Sequence, residues 1–167
     1  MRLDLRPTSE SDASAILALY RKAAEGPGLA RYPDELDAHF AAHILEKAAS
    51  GGISIGAFEG DRLVGEIHGW RPGPRKFAHV LGDLTVAVDP DWHGKGVGTA
   101  LFEALFARAA AMEPRIERIE LFVHTGNPGA KRLYERLGFV EEGRLPARLR
   151  FDDGQVHDDF MMAKRIG

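Results

Sequence analysis

The segment Asp89-Pro90-Asp91-Trp92-His93-Gly94-Lys95-Gly96-Val97-Gly98-Thr99 constrains this chain more than any other. It follows a run, His79 to Val88, that reads as a strand. It opens a helix whose apolar face carries Val97, Leu101, Phe102, Leu105 and Phe106. Alternating glycines let successive backbone N–H groups converge without interference from Cβ atoms, and the helix dipole adds partial positive charge at the same place. The segment is therefore an anion cradle. A tight turn alone also needs glycine, but three alternating glycines around Lys95, directly before a helix, exceed what turning requires. Spacing excludes two familiar phosphate loops. A Walker loop needs Ser or Thr after its lysine, where Gly96 stands, and the dinucleotide fingerprint needs a small third residue, where Thr99 stands. The next strand closes on Val123-His124-Thr125, with no acid to grip a ribose, so a nucleotide-binding oxidoreductase is disfavoured.

Strand and helix periods organise the rest of the chain. Arg2 to Arg6 alternates as a short strand ended by Pro7. Ser9 or Ser11, with Asp12 as capping partner, starts a helix carrying Ile16, Leu17, Leu19 and Tyr20. Gly26-Pro27-Gly28 breaks it, and Gly26 to Tyr32 is a candidate mobile lid. A second helix is predicted from Pro33-Asp34 through Leu36, Phe40, Ile44 and Leu45 to Gly51-Gly52. Ile53 to Phe58 and Leu63 to Trp70 form a hairpin. Ile116 to Val123 is a further strand. Ala130, Leu133, Tyr134 and Leu137 share one helical face ended by Gly138. Phe139 onward and His157 to Ile166 close the chain as two strands joined through Asp152-Asp153-Gly154. The order β-α-α-β-β-β-α-β-α-β-β predicts one α/β domain, residues 1–167, with helices packed on a mixed sheet.

Composition removes several function classes. The 167 residues contain no cysteine, which excludes disulfides, thiolate metal sites and any acyl-cysteine intermediate. A formal net charge of -3 argues against nucleic-acid coating and polybasic membrane binding. Neither an apolar leader nor a run long enough to span a membrane is present in these residues, so a cytoplasmic location is expected.

Two motifs together resemble those of the GNAT superfamily of acetyl-CoA-dependent N-acetyltransferases. His93-Gly94-Lys95-Gly96-Val97-Gly98 is similar to that family's pyrophosphate loop and departs from it only where His93 replaces Arg or Gln. Asn127, Ala130, Leu133, Tyr134, Gly138 and Phe139 fit its second motif throughout. The resemblance implies a mostly antiparallel mixed sheet with a central splayed strand pair, and acetyl-CoA as cosubstrate with no metal. It implies that Val86, Ala87 and Val88 lend backbone groups to the pantetheine arm. His93 and Gly94, Lys95, Gly96, Val97, Gly98 and Thr99 would hold the pyrophosphate, with Asn127 and Ala130 contacting the cofactor from the neighbouring helix. Tyr134 would stand by the thioester sulfur, where a phenol can protonate a departing thiolate. On periodicity alone Tyr134 reads as core, beside Leu133 and Leu137.

With no cysteine to carry the acetyl group, a primary amine attacks the thioester directly in a ternary complex. A lysine-like amine must first lose a proton, which costs about 4 to 5 kcal/mol near pH 7. Asp83 is the first choice of base, acting through water, with Glu66, His68, His79 and His124 as competitors. A backbone N–H near Val86 is the expected oxyanion donor. Arg31, Tyr32 and Trp70 are candidates for the acceptor entrance. The acceptor class is a small molecule such as an amino acid or polyamine, or a protein N-terminus. Family members often dimerise, so a homodimer is open. The competing reading is a non-catalytic acyl-CoA sensor.

Three features read as decoys. Gly52-Ile53-Ser54-Ile55-Gly56 has the spacing of a hydrolase elbow, but no helix follows Ser54. His39 and His43 lie one turn apart, yet Phe40 stands where a zinc protease has glutamate. Lys131, Arg132 and Arg136 share a helix with Glu135 as an ordinary solvated face, or meet the nucleotide end of the cofactor.

Overall fold

The computed structural model describes residues 2–167; of the domain expected over residues 1–167, residue 1 lies outside the described residues. Its elements are β1 (Asp4–Pro7), α1 (Ala13–Ala23), α2 (Ala38–Ala49), β2 (Ile53–Glu59), β3 (Arg62–Trp70), β4 (Val80–Val88), α3 (Val97–Ala110), β5 (Arg118–His124), α4 (Pro128–Arg136), β6 (Val140–Arg150) and β7 (Val156–Arg165). This is the element order read from the sequence. The second helix starts later than expected. Pro33–Glu35 forms a single 3-10 turn, Leu36 is extended, and Asp37 caps α2 by accepting from the Phe40 N–H.

The strands form one seven-stranded sheet in the order β1-β2-β3-β4-β5-β7-β6. Every neighbouring pair is antiparallel except β4 and β5, which run parallel. That pair is joined only at Val80↔Arg118 and Leu81↔Ile119, although β4 runs on to Val88 and β5 to His124. Past Leu81 the two strands part, and the sheet has a wedge-shaped gap at its centre.

Two cores anchor the gap. On one face, Ile16 and Leu19 of α1, Ile44 of α2 and Leu36 from the segment between them pack with Phe58, Leu63 and Ala87. On the other, α3 packs through Val97, Leu101, Phe102 and Leu105 against Ile55, Ile67 and Leu121. The apolar side chains at alternate strand positions thus feed opposite cores. Gly65 lets α3 approach β3 closely, since a Cβ there would lie 2.8 Å from Val97 Cγ1 and 2.9 Å from Leu101 Cδ1. The N-terminus of α3 is thereby pressed against the sheet beside the gap.

Candidate active site

The gap has one long wall, β4. Its partner β3 hydrogen-bonds one edge, through His68↔Thr85, Ile67↔Val86, Glu66↔Ala87 and Gly65↔Val88. The opposite edge has no strand partner beyond Leu81. Alternate residues of Val86, Ala87 and Val88 therefore turn backbone donors and acceptors into the gap. Ala87 joins the α1–α2 core, while Val86 and Val88 pack toward α3.

At the end of this wall, Asp89 stops the strand. Its side chain accepts from the Asp91 N–H and from Lys22 Nζ and Arg62, each cation at 2.7 Å. Burial pushes its carboxyl up, but the hydrogen bonds from Lys22, Asp91 and Arg62 prevail and hold it below the ordinary range. After a single 3-10 turn over Pro90–Trp92, Gly94 and Gly96 take left-handed conformations with φ of 72° and 80°. Gly96 is the N-cap of the 14-residue α3 and supplies no side chain to cap it. The first helical bond runs from the Ala100 N–H to the Gly96 carbonyl. Consequently the six N–H groups of Gly94, Lys95, Gly96, Val97, Gly98 and Thr99 have no acceptor among the described residues. A run of unpaired donors at a helix N-terminus fits a bound phosphate. Gly98 has a different reason to be glycine: a Cβ there would stand 3.3 Å from Leu133 Cδ2, where α3 meets α4.

Two side chains of the loop are spent on its own architecture. His93 Nε2 lies 3.1 Å from the Val88 carbonyl, tying the loop to the end of β4. Lys95 Nζ sits 4.9 Å from the centroid of the Trp92 ring.

The facing wall comes from β5 and α4. Asn127 caps α4 by accepting from the Ala130 N–H at 3.2 Å, which occupies its oxygen and leaves the amide nitrogen for other partners. Tyr134 lies two turns along, edge-on to Phe102 at 5.5 Å and near Phe139 at 6.0 Å. It is 7% exposed, and its hydroxyl has no hydrogen-bond partner among the described residues. No enclosed side-chain oxygen lacks a partner among those residues, so the Tyr134 hydroxyl reaches open space. Burial pushes the phenol up to about 12, which keeps it a proton donor through the neutral range.

The α1–α2 loop forms the outer rim. The expected lid is docked at both ends. His124 Nε2 donates to the Gly28 carbonyl, and the Asp152 N–H donates to the Tyr32 hydroxyl at 2.6 Å. Opposite it, Asp83 lies at the β4 edge with φ of 48°, a left-handed conformation that a non-glycine residue adopts at a cost of about 1–3 kcal/mol. The side chain is exposed, and its carboxylate accepts from Trp70 Nε1 at 2.8 Å. Arg31, in the α1–α2 loop, lies over Phe40 with its guanidinium carbon 5.4 Å from the ring centroid.

The competitors for the base separate by geometry. His79 flanks the closed end of the gap, where its carbonyl accepts from the Glu117 and Arg118 N–H groups. His124 accepts the Gly126 N–H at Nδ1 and therefore carries its proton on Nε2, with both nitrogens engaged. Glu66 is fully buried and accepts from Tyr20, Ser54 and His68. The tyrosine in this network is absent from the sequence-based candidates, because Tyr20 falls on the same apolar stripe as Ile16 and Leu19. Ser54 lies within β2, bonded to Thr8 and Glu66, and no nucleophile elbow exists. His39 and His43 stack at 6.4 Å, and no metal-binding cluster is present among the described residues. Lys131 is paired with Glu135 and Glu141. No helix of the described residues is long and apolar enough to cross a membrane.

Comparison with known proteins agrees with this geometry. Residues 14–139 match the family model described as acetyltransferase (GNAT) family. An uncharacterized N-acetyltransferase of Methanocaldococcus jannaschii is 42% identical over 65 residues, 39% of this chain and 28% of that protein. The L-amino acid N-acetyltransferase AaaT of Escherichia coli is 32% identical over 91 residues, 54% of each chain. The chain thus spans about a quarter of the first relative and about half of the second. A GNAT-family acetyltransferase of Streptococcus pneumoniae superposes with a TM-score of 0.88 at 26% identity, covering 99% of this chain and 100% of that one. A parted parallel strand pair, an open donor loop beside it and the matched family model lead to one assignment: the chain belongs to the GNAT family of acetyltransferases.

Proposed function

We propose that this protein transfers an acetyl group from acetyl-CoA to a primary amine, with a free amino acid as the first acceptor class and a peptide N-terminus as the second. The observation that carries the reading is the run of six unpaired N–H groups, Gly94 to Thr99, beside an unpaired β4 edge and the free Tyr134 hydroxyl. The cradle takes the pyrophosphate, and the β4 edge at Val86–Val88 takes the amides of the pantetheine arm. Asn127 and Ala130 flank the cofactor from α4. The amino-acid acceptor is supported by the relative that acts on L-amino acids.

The chain's groups divide the chemistry. Asp83, exposed and fixed by Trp70, draws in the ammonium form and passes its first proton to solvent through water. The free amine then attacks the thioester carbonyl, and a backbone N–H of the β4 edge near Val86 meets the developing oxyanion. As the C–S bond breaks, Tyr134 gives its proton to sulfur. The chain has no cysteine to carry the acetyl group, and the amine attacks the thioester directly.

The test is calorimetric titration of acetyl-CoA, with an expected dissociation constant of roughly 1 to 100 μM. Thiol release in the presence of a panel of L-amino acids and short peptides follows it. Saturable binding with amine-dependent thiol release is the expected result. Binding with no release from any amine would favour the acyl-CoA sensor instead, and no binding up to about 1 mM would overturn the cofactor assignment.

A further inference from the structure

Acetyl transfer to an ammonium group moves two protons off one nitrogen. The balance is ammonium plus thioester giving amide, thiol and one proton: one leaves before attack and reaches solvent, the other leaves after the C–N bond has formed. Asp83, exposed to solvent, suits the first. The second is released inside the gap, and Tyr134 cannot take it, because Tyr134 must itself donate to sulfur.

A buried group suited to that second proton lies next to the gap and has no other assigned role. Glu66 is 0% exposed and receives three donors: Tyr20 Oη–H at 2.5 Å, Ser54 Oγ–H at 2.7 Å and His68 Nδ1–H at 2.9 Å. Thr8 lies 2.6 Å from Ser54 Oγ, and since Ser54 gives its hydrogen to Glu66, Thr8 donates to Ser54. Tyr20 and Ser54 spend their hydrogens on the carboxylate, and with Nδ1 of His68 as the third donor every hydrogen of the network points the same way. His68 therefore carries its ring proton on Nδ1, and Nε2 is the basic atom. No protein group bonds Nε2, and no enclosed side-chain nitrogen lacks a partner among the described residues, so Nε2 reaches open space even though His68 is only 3% exposed.

The position is equally specific. His68 stands opposite Thr85 of β4, the strand whose other edge is the gap wall, and directly opposed residues share a face. Its ring stacks on Trp70 at 5.3 Å and 10°, and Trp70 holds Asp83. On its other side lies Tyr20, whose phenol is raised well above its ordinary range by burial, then by Glu66, with a contribution from Tyr134. The imidazole thus has Trp70, which holds Asp83, on one side and Tyr20, which is influenced by Tyr134, on the other. The titratable and charged groups around it are Glu66 on its own strand, Tyr20 on α1 with Tyr134 of α4 beyond, and Asp83 on β4. His43 and Lys47 of α2 lie behind Trp70. A buried carboxylate with this many polar partners is not explained by stability, since well-packed apolar residues serve a core at least as well.

We propose that Glu66 and His68 hold the second proton of the transfer: neutral His68 accepts it at Nε2 from the acceptor nitrogen once the C–N bond exists, and Glu66 positions the ring and stabilises the imidazolium. The N–H electron pair stays on nitrogen. The C–S bond then breaks, Tyr134 protonates the sulfur, and the imidazolium returns a proton to Tyr134 through water. His68 is a catalytic residue in this scheme and Glu66 a positioning residue. The inference rests on the acetyl-transfer reading above.

The test compares wild type, His68→Gln, Glu66→Gln and Asp83→Asn, using as acceptor the L-amino acid that gives the fastest thiol release. Acetyl-CoA binding by calorimetry reports that each variant is folded. His68→Gln is expected to lower kcat by about 100-fold or more with little change in KM for the amine. Glu66→Gln is expected to lower kcat less and to move the acid limb of the rate profile to lower pH, because loss of the carboxylate disfavours imidazolium. Asp83→Asn chiefly raises KM for the amine. A His68→Gln enzyme within about tenfold of wild type, with an unchanged profile, overturns the proposal. If His68→Gln does not bind acetyl-CoA, the Glu66→Gln profile decides, and an unshifted acid limb overturns it. A wild type that releases no thiol with any amine overturns the transfer reading and this proposal with it, whereas an active wild type with an unaffected His68→Gln overturns this proposal alone.

Discussion

Gly96→Ala adds one methyl group to a residue at φ 80° and ψ 6°, and that methyl meets no atom within 4 Å. Its cost is therefore conformational, about 1–2 kcal/mol for a side chain held in the left-handed region. The loop is exposed, so the variant escapes the strain by rotating out of the cradle shape. Acetyl-CoA must then restore that shape on binding, which weakens affinity by about 5- to 30-fold. Gly60→Ala is the control. At φ 57° it bears a similar backbone penalty and likewise meets nothing, but it lies in the turn between β2 and β3. It is expected to lower Tm by about 2–8 °C while leaving acetyl-CoA affinity unchanged. Gly98→Ala introduces no left-handed strain and only presses the movable end of Leu133, so its affinity stays close to wild type. Calorimetric titration and thermal unfolding of the three variants provide the comparison. Wild-type affinity in Gly96→Ala, or equal weakening in Gly60→Ala, would refute the assignment of the phosphates to this loop.

Tyr134→Phe should lower single-turnover acetyl transfer by about 100-fold or more while acetyl-CoA affinity is retained. In the wild type, burial holds the phenol at about 12, so the donor stays protonated and no alkaline loss of turnover is expected until pH rises well beyond 10. Gly65→Ala forces a methyl to within 3 Å of Val97 and Leu101, an overpacking worth about 1–3 kcal/mol, and chemical denaturation should read a loss of that size. Asp12 accepts two bonds from Arg6, at 2.9 and 3.0 Å, and one from the Ser9 N–H, and these, the Arg6 bonds first, hold its carboxyl below the ordinary range. Its contribution is present above the unfolded value near 3.9 and lost as pH falls through the folded value. Asp12→Asn should thus cost about 1 kcal/mol at pH 7 and progressively less below pH 4, measured by urea unfolding.

Local patterns made the element order and the cradle legible. The alternation of β2 and β3, the 3.6-residue stripe of α4 and the glycines before α3 each reflect a neighbour only a few residues away. Boundaries slipped where a single turn mimics a helix start, as at Pro33–Glu35, because the extended Leu36 that breaks it has no sequence signal. The parting of β4 and β5 depends on pairings between distant strands. Likewise, Tyr20 is indistinguishable from Ile16 and Leu19 until β3 brings Glu66 to its hydroxyl. The ranking of the proton acceptors was illegible for the same reason: His68, His79 and His124 are equal in sequence and differ in where the fold puts them and in which ring nitrogens it engages.

Mass spectrometry of an L-amino-acid panel incubated with the purified protein and acetyl-CoA bears on whether the gap transfers an acetyl group or merely binds its carrier. Transfer predicts a mass gain of one acetyl group on at least one amine, with CoA thiol released in equal amount and no acetylated protein intermediate. Saturable acetyl-CoA binding with no acetylated amine from amino acids or peptides would contradict it and identify the gap as a binding site without transfer.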